Sequence, residues 1–371
     1  MSQGDFSNKY KEIEIKEFGE ELENSINSTH EIRREKEEVN KGGFNIKDYV
    51  IMNIPMDLFC YILIITFSIS FYGAYTNINE FQDPIIALRP GYTFPTISGL
   101  LPSFFYAFLL IAIYLILQKV LIPVADLVME ENYKKECIEK PEMLALYRFK
   151  IISNFFKMMF YTFTSVLGFY YLSNEKFFPT SLLGKGSLYY FYEQYPNSFF
   201  LHKPAFIDVI YHINFGYVLF DCYYLYTQKM QSDFLLMLLH HIATISMVII
   251  SWVSNYTMIG SVIFYLHYVG DMFVYFVRLS LYIKTPDRLK VSLSVILVLV
   301  FIYTRIYVFG SLIYMLFSNP FNMSRVEILG LSANFGLLFI HLVWISMIIA
   351  KQVKYFIGGE ISDIIAQRKK N

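Results

Sequence analysis

Residues 233–283 read DFLLMLLHHIATISMVIISWVSNYTMIGSVIFYLHYVGDMFVYFVRLSLYI. Two apolar runs, each long enough to cross about 30 Å of hydrocarbon as a helix, are joined by the polar turn Ser254-Asn255-Tyr256-Thr257. Inside them lie His240, His241, His267, Asp271 and Arg278. A titratable side chain at membrane depth costs several kcal/mol unless it is paired or wetted. Their concentration in two neighbouring spans marks a site.

The same signature extends outward. The chain has 371 residues, 55% of them hydrophobic and 19% aromatic, with a mean hydropathy of +0.42. Apolar runs of spanning length recur near 49–73, 101–127, 149–172, 206–227, 234–254, 257–283, 290–317 and 328–350. Helices satisfy their own backbone in lipid, so the expected fold is all-α, a multi-pass transmembrane bundle of about eight spans. Pro123 should stop or kink the second. A formal net charge of zero argues against a nucleic-acid partner. Cys60, Cys137 and Cys222 fit neither disulfide nor metal spacing and read as packing residues.

Residues 1–47 are polar and mixed in charge, without the pattern of a cleavable signal peptide, and read as a solvated tail. Lys134, Lys135, Lys140 and Arg148 after the second span, Lys284, Arg288 and Lys290 after the sixth, and Lys351, Lys354, Arg368, Lys369 and Lys370 at the end outnumber the basic residues of the opposite loops. That bias predicts both termini in the cytosol. The lumenal loop 173–205 is rich in Phe and Tyr, as expected of a segment lying along the interface. Asn322-Met323-Ser324 is a sequon on the lumenal side, and Asn27-Ser28-Thr29 falls in the cytosol. Arg368 and Lys369 partially match a dilysine retrieval signal.

Adjacent helical residues project about 100° apart, so His240 and His241 are not expected to face one small target together. They also lack the i, i+4 spacing of helical metal ligands, and neither a metal nor a cofactor is expected. At 1.5 Å per residue, His240 lies about 9 Å and Asp221 about 10 Å from the cytosolic surface. His267 and Asp271 share a helix face, which lets Asp271 hold the imidazole. Asp221 and Arg305 are isolated charges that can neutralise one another across the bundle. Arg278, near a helix end, is suited to snorkelling, and His341 to packing or an interhelical hydrogen bond.

One further pattern runs through these residues. Tyr195-Pro196, Asp233-Phe234, His240-His241, Thr244, Ser251-Trp252, Asn255, Gly260, Asp271, Thr304-Arg305, and His341 with Trp344 occur in order. The series resembles the Lag1 motif of the TLC-domain family, that of the ceramide synthases, across roughly residues 100–360. The resemblance implies six or seven spans in a barrel around a lipid channel, and a division into 1–47 (cytosolic tail), 48–100 (extra first span and lumenal loop), 101–147 (second span and cytosolic loop), 148–355 (TLC domain) and 356–371 (cytosolic tail). It implies an endoplasmic-reticulum sphingoid-base N-acyltransferase whose partners are fatty acyl-CoA, a sphingoid base, membrane lipids and a homo- or heterodimeric mate. His240, His241 and Asp271 carry over as catalytic, and His267, Tyr268, Asn255, Asp221 and Arg305 are weaker substrate-binding candidates. The family's HDxSD reads His267-Tyr268-Val269-Gly270-Asp271 here. Tyr268 supplies no negative charge where an aspartate would, which motivates the alternative of a non-catalytic lipid-sensing or lipid-transport protein.

Overall fold

The protein is described from a computed structural model covering residues 54–193, 195–201, 203–227, 234–318 and 324–358. The polar tail, Asp233, Asn27, Asn322, the Cys60 side chain and the basic residues Arg368, Lys369 and Lys370 lie outside the described residues. The site lies wholly within the unit that begins at Cys60.

Among the described residues there is no strand, and the principal elements are helices. They are α1 (Ile54–Thr76), α2 (Asn79–Leu88), α3 (Pro102–Val120), α4 (Ile122–Val128), α5 (Glu131–Glu139), α6 (Glu142–Leu172), α7 (Ala205–Thr227), α8 (Phe234–Val253) and α9 (Thr257–Tyr282). The chain continues as α10 (Asp287–Phe301), a π-helical segment Ile302–Val308, α11 (Phe309–Ser318) and α12 (Arg325–Gly358). Among the described residues seven stretches are long and apolar enough to cross a membrane: Tyr61–Leu88, Ile97–Val120, Ala205–Thr227, Phe234–Val253, Thr257–Tyr282, Asp287–Ser318 and Arg325–Val353. The multi-pass all-α expectation is therefore met. The run expected at 149–172 forms as α6, 31 residues long, but Lys157 and its Tyr and Thr residues keep it less apolar than the seven.

Local chemistry accounts for the helix ends. Pro123 sits in the first turn of α4, just after α3 stops at Val120, where its missing N–H costs nothing. Asn255 adopts the left-handed conformation at φ 56° and closes α8, with Tyr256 N–H donating to Ser251 O at 2.7 Å and Asn255 N–H to Trp252 O at 3.0 Å. That is the helix-ending pair of a Schellman turn, and Asn is one of the few side chains that tolerates it. Residues 79–88, expected in a loop, are instead helical, with Phe81 and Ile85 buried.

Helix packing closes a ring. α9 packs on α6, α7 and α10; α12 packs on α8, α10 and α11; and α7 completes the circuit against α8 while α3 backs it from outside. The aromatic segment 173–205 turns several of its rings inward. Phe177, Phe178, Phe191 and Phe199 are buried, and Phe199 meets Phe81, Phe191 and Tyr256 edge-on at 5.6, 5.3 and 5.3 Å. Burying large rings over the helix ends is more favourable than leaving them half wet. Arg278 is exposed, with its guanidinium 5.4 Å from the centre of the Tyr275 ring.

Gly216 permits the closest approach of α7 to α3. A Cβ there would stand 2.7 Å from Tyr106 Cβ and 2.8 Å from Ser103 O, and backbone does not yield cheaply. Gly216→Val is expected to destabilise the protein by about 1–3 kcal/mol, read as a lowered thermal midpoint in detergent. Gly310→Ala, with nothing within 4 Å, serves as the matched control and should leave the midpoint nearly unchanged.

Candidate functional site

The ring encloses a cavity of about 200 Å³ walled by α7, α8, α9, α11 and α12, with Tyr161 contributed by α6. Asp221, His240, His241, His267, Tyr268 and Asp271 cluster at one end, and the walls beyond are mainly apolar, including Val248, Ile259, Ile263, Leu331 and Leu337. On α12 the lining runs from Val326 to Leu337, about 16 Å at 1.5 Å per residue. It is a long apolar chamber with a polar floor.

Two buried ion pairs build that floor. Arg305, 1% exposed, donates from Nη2 to Asp271 Oδ1 at 2.6 Å and to His267 O at 2.8 Å. Its Nη1 lies 2.9 Å from His341 Nε2. A guanidinium has no acceptor and stays protonated, so His341 accepts there as a neutral ring protonated on Nδ1. Arg305 belongs to the π-helical segment Ile302–Val308. The widened turn of a π-bulge is a frequent mark of functional positions, and here it lies at the residue that ties three elements together.

The second pair joins α6 to α7. Lys157 Nζ donates to Asp221 Oδ1, and the ammonium also lies over the Tyr224 ring at 3.8 Å. The other Asp221 oxygen approaches His241 Nε2 to 3.7 Å. His240 turns the other way, toward Trp344, with centroids 5.3 Å apart, and its Nδ1 has no partner among the described residues. The two rings stand 5.6 Å apart and diverge as helix geometry demands. Both nevertheless line the one cavity, because it is elongated enough to meet two directions.

Several expected contacts are replaced. Asp271 does not hold His267: the His267 Nδ1 lies 2.7 Å from Ile263 O. A carbonyl only accepts, so that nitrogen carries the proton, and the buried Nε2 is the one without a partner among the described residues. Asp221 and Arg305 do not pair, each having a nearer opposite charge in Lys157 and Asp271. Arg305 stands behind Asp271 rather than in the cavity wall, and Asn255 is likewise outside the wall. The Asn255 side chain donates to Tyr92 Oη at 2.7 Å, so the turn absorbs it. Tyr268 does line the cavity, packed with Phe160, Tyr161, Tyr217 and Phe264.

The TLC domain pattern matches residues 150–350, more than half of the chain. The chain belongs to the TLC-domain family. Within it, the protein is similar to human ceramide synthase 5, with 33% identity over 147 residues, 37% of this chain and 36% of that protein. The match thus spans little more than a third of that relative's length. The TLC domain carries every element of the polar floor, from Lys157 on α6 to His341 on α12.

Lys157 escaped the sequence reading, although the signal was available: it is a lone cation inside an apolar run, the feature that singled out Asp221. Trp344 entered only as part of a motif, and its contact with His240 needed the structure. Asn334 and Glu327 were hidden because a lone amide and a helix-first-turn carboxylate are ordinary features of a helix.

The Arg305–Asp271 pair can be tested by its asymmetry. Removing one partner of a buried pair strands the other charge, at a cost of about 3–5 kcal/mol, whereas replacing both is far milder. Arg305→Leu and Asp271→Leu should each lower the thermal midpoint strongly, and the double variant should recover most of the loss. Additive losses would show that the pair is not a unit.

Proposed function

We propose that the protein is a ceramide synthase-like acyltransferase of the endoplasmic-reticulum membrane, moving a fatty acyl group from acyl-CoA to the amine of a sphingoid base. The observation that carries the reading is the pairing of two histidines and two carboxylates with the polar end of an apolar chamber. Long-chain substrates need such a chamber, and acyl transfer needs a base or nucleophile at its polar end. Similarity to human ceramide synthase 5 points to the same chemistry.

In this reading the acyl chain occupies the chamber and the thioester carbonyl sits over the polar floor. His240 acts as the acyl-accepting nucleophile or as the base that takes a proton from the attacking amine. The C–N bond forms as the C–S bond breaks, and the proton returns to the departing CoA thiolate. Asp221, anchored by Lys157, holds His241 oriented beside it and stabilises positive charge that develops there. Asp271, anchored by Arg305, supplies negative charge on the opposite wall. Both termini face the cytosol, where acyl-CoA is supplied.

A second reading has its own observation. Tyr268 presents an aromatic wall joined to Phe160, Tyr161 and Tyr217 at the place of a family carboxylate. Such a surface suits lipid binding without chemistry.

Purified protein given a panel of acyl-CoAs and a sphingoid base should release CoA and form the N-acyl product, measured by mass spectrometry. His240→Ala is expected to reduce turnover by about 10²–10⁴-fold, the usual worth of a general base, and Asp271→Asn to reduce it as well. Full activity in both variants would remove the proposed mechanism. Folded wild-type protein that binds lipid yet yields no product with any donor would favour the second reading.

A further inference from the structure

Away from the histidines, two residues of the cavity wall each hold a buried oxygen with no hydrogen-bond partner among the described residues: Asn334 Oδ1 and Glu327 Oε1. They lie seven positions apart on α12, two turns, and so stand on nearly the same helix face.

The unpartnered atoms are well defined. Asn334 is 3% exposed, and its Nδ2 donates to Gly330 O at 2.7 Å. A reversed amide would set oxygen against that carbonyl oxygen, so Oδ1 is the free end, and it can only accept. Glu327 caps its own helix: Oε2 accepts from Ser324 N at 3.0 Å and from Ser324 Oγ at 2.9 Å. That Ser-x-x-Glu capping box uses one carboxyl oxygen and leaves Oε1 over. A buried acceptor without a donor is costly, and a purely hydrocarbon occupant would leave both oxygens unmet.

Their depth matters. Counting along α12 from His341, Asn334 is about 10 Å and Glu327 about 21 Å away at 1.5 Å per residue. A long chain with its head on the polar floor would pass Asn334 near its middle and reach Glu327 near its end.

We propose that the distal part of the cavity is a binding site for a hydroxylated lipid chain, with Asn334 Oδ1 and Glu327 Oε1 accepting hydrogen bonds from hydroxyls on that chain. The assignment rests on the cavity holding a lipid tail, as in the function proposed above, but not on acyl transfer. Water is the competing donor, and it would produce no preference between chains.

The test is binding without chemistry. Full-length protein in detergent is loaded with a fluorescent fatty acid, which is displaced by hexadecanoic acid or by its mid-chain or terminal hydroxyl analogue, with CoA absent. The hydroxyl analogues are expected to displace the probe at about five- to tenfold lower concentration, the gain of one net hydrogen bond. Asn334→Leu should erase the preference for the mid-chain analogue and Glu327→Leu that for the terminal one. A thermal midpoint and a far-ultraviolet circular-dichroism spectrum close to those of the wild type would confirm an intact fold in each variant. Equal displacement by all three acids in the wild type, or preferences that survive both substitutions, would overturn the assignment and leave the lipid cavity standing. No displacement by any acid would overturn both.

Discussion

A guanidinium cannot be neutralised by losing its proton, so a buried arginine dictates what surrounds it. Arg305 meets that constraint with a carboxylate from α9, a backbone carbonyl of α9 and an imidazole from α12. The backbone of α9 must come close for this, and Gly270 permits it: a Cβ there would lie 3.1 Å from Arg305 Nε and 3.4 Å from Thr304 Oγ1. Glycine at a position where the family carries serine is thus part of the same arrangement. The ring of helices is held where hydrophobic packing alone would leave its register loosely specified.

Lys157 and Asp221 repeat the device on the other side of the floor. Two buried cations are matched by two carboxylates, so the polar end of the chamber carries charge without carrying net charge. The histidines sit between these pairs. His241 is drawn toward Asp221, His267 is tied by its own helix through Ile263, and His341 is committed to Arg305. His240 alone of the four is bounded by rings rather than by a charged or carbonyl partner among the described contacts. That leaves it the freest to meet a reacting group, and the apolar walls beyond supply the length a lipid chain needs.

The spans and the residues that count were largely legible in the chain, and their partners were not. Hydropathy located nearly every long helix because lipid requires long apolar runs. It missed α2, whose ten residues include Pro84 and four charged or amide side chains, Asn79, Glu80, Gln82 and Asp83. The rule that charge is costly in a membrane found Asp221, His240, His241, Asp271 and Arg305, yet pairing Asp221 with Arg305 and Asp271 with His267 failed. Helical periodicity says which way a side chain leaves its own helix, but not which helix stands opposite. Lys157 shows the price of that gap, since Asp221 takes its lysine from a helix whose polar content had drawn no notice.

From the sequence alone came the all-α membrane class, the breaks at Pro123 and Asn255, and the ordered residues that resemble the ceramide synthases. The first two follow from a local cost, either of exposing polar backbone to lipid or of an unfavourable dihedral, and local costs can be read along a chain. The third is a likeness of ordered residues. Only the tertiary structure decided that two ion pairs form the floor, that the Asn255 side chain is taken up by Tyr92, and that Asn334 and Glu327 keep spare buried oxygens beside the chamber. Those outcomes depend on which helices become neighbours, set by packing across hundreds of residues. A buried charge takes whichever partner that packing brings nearest.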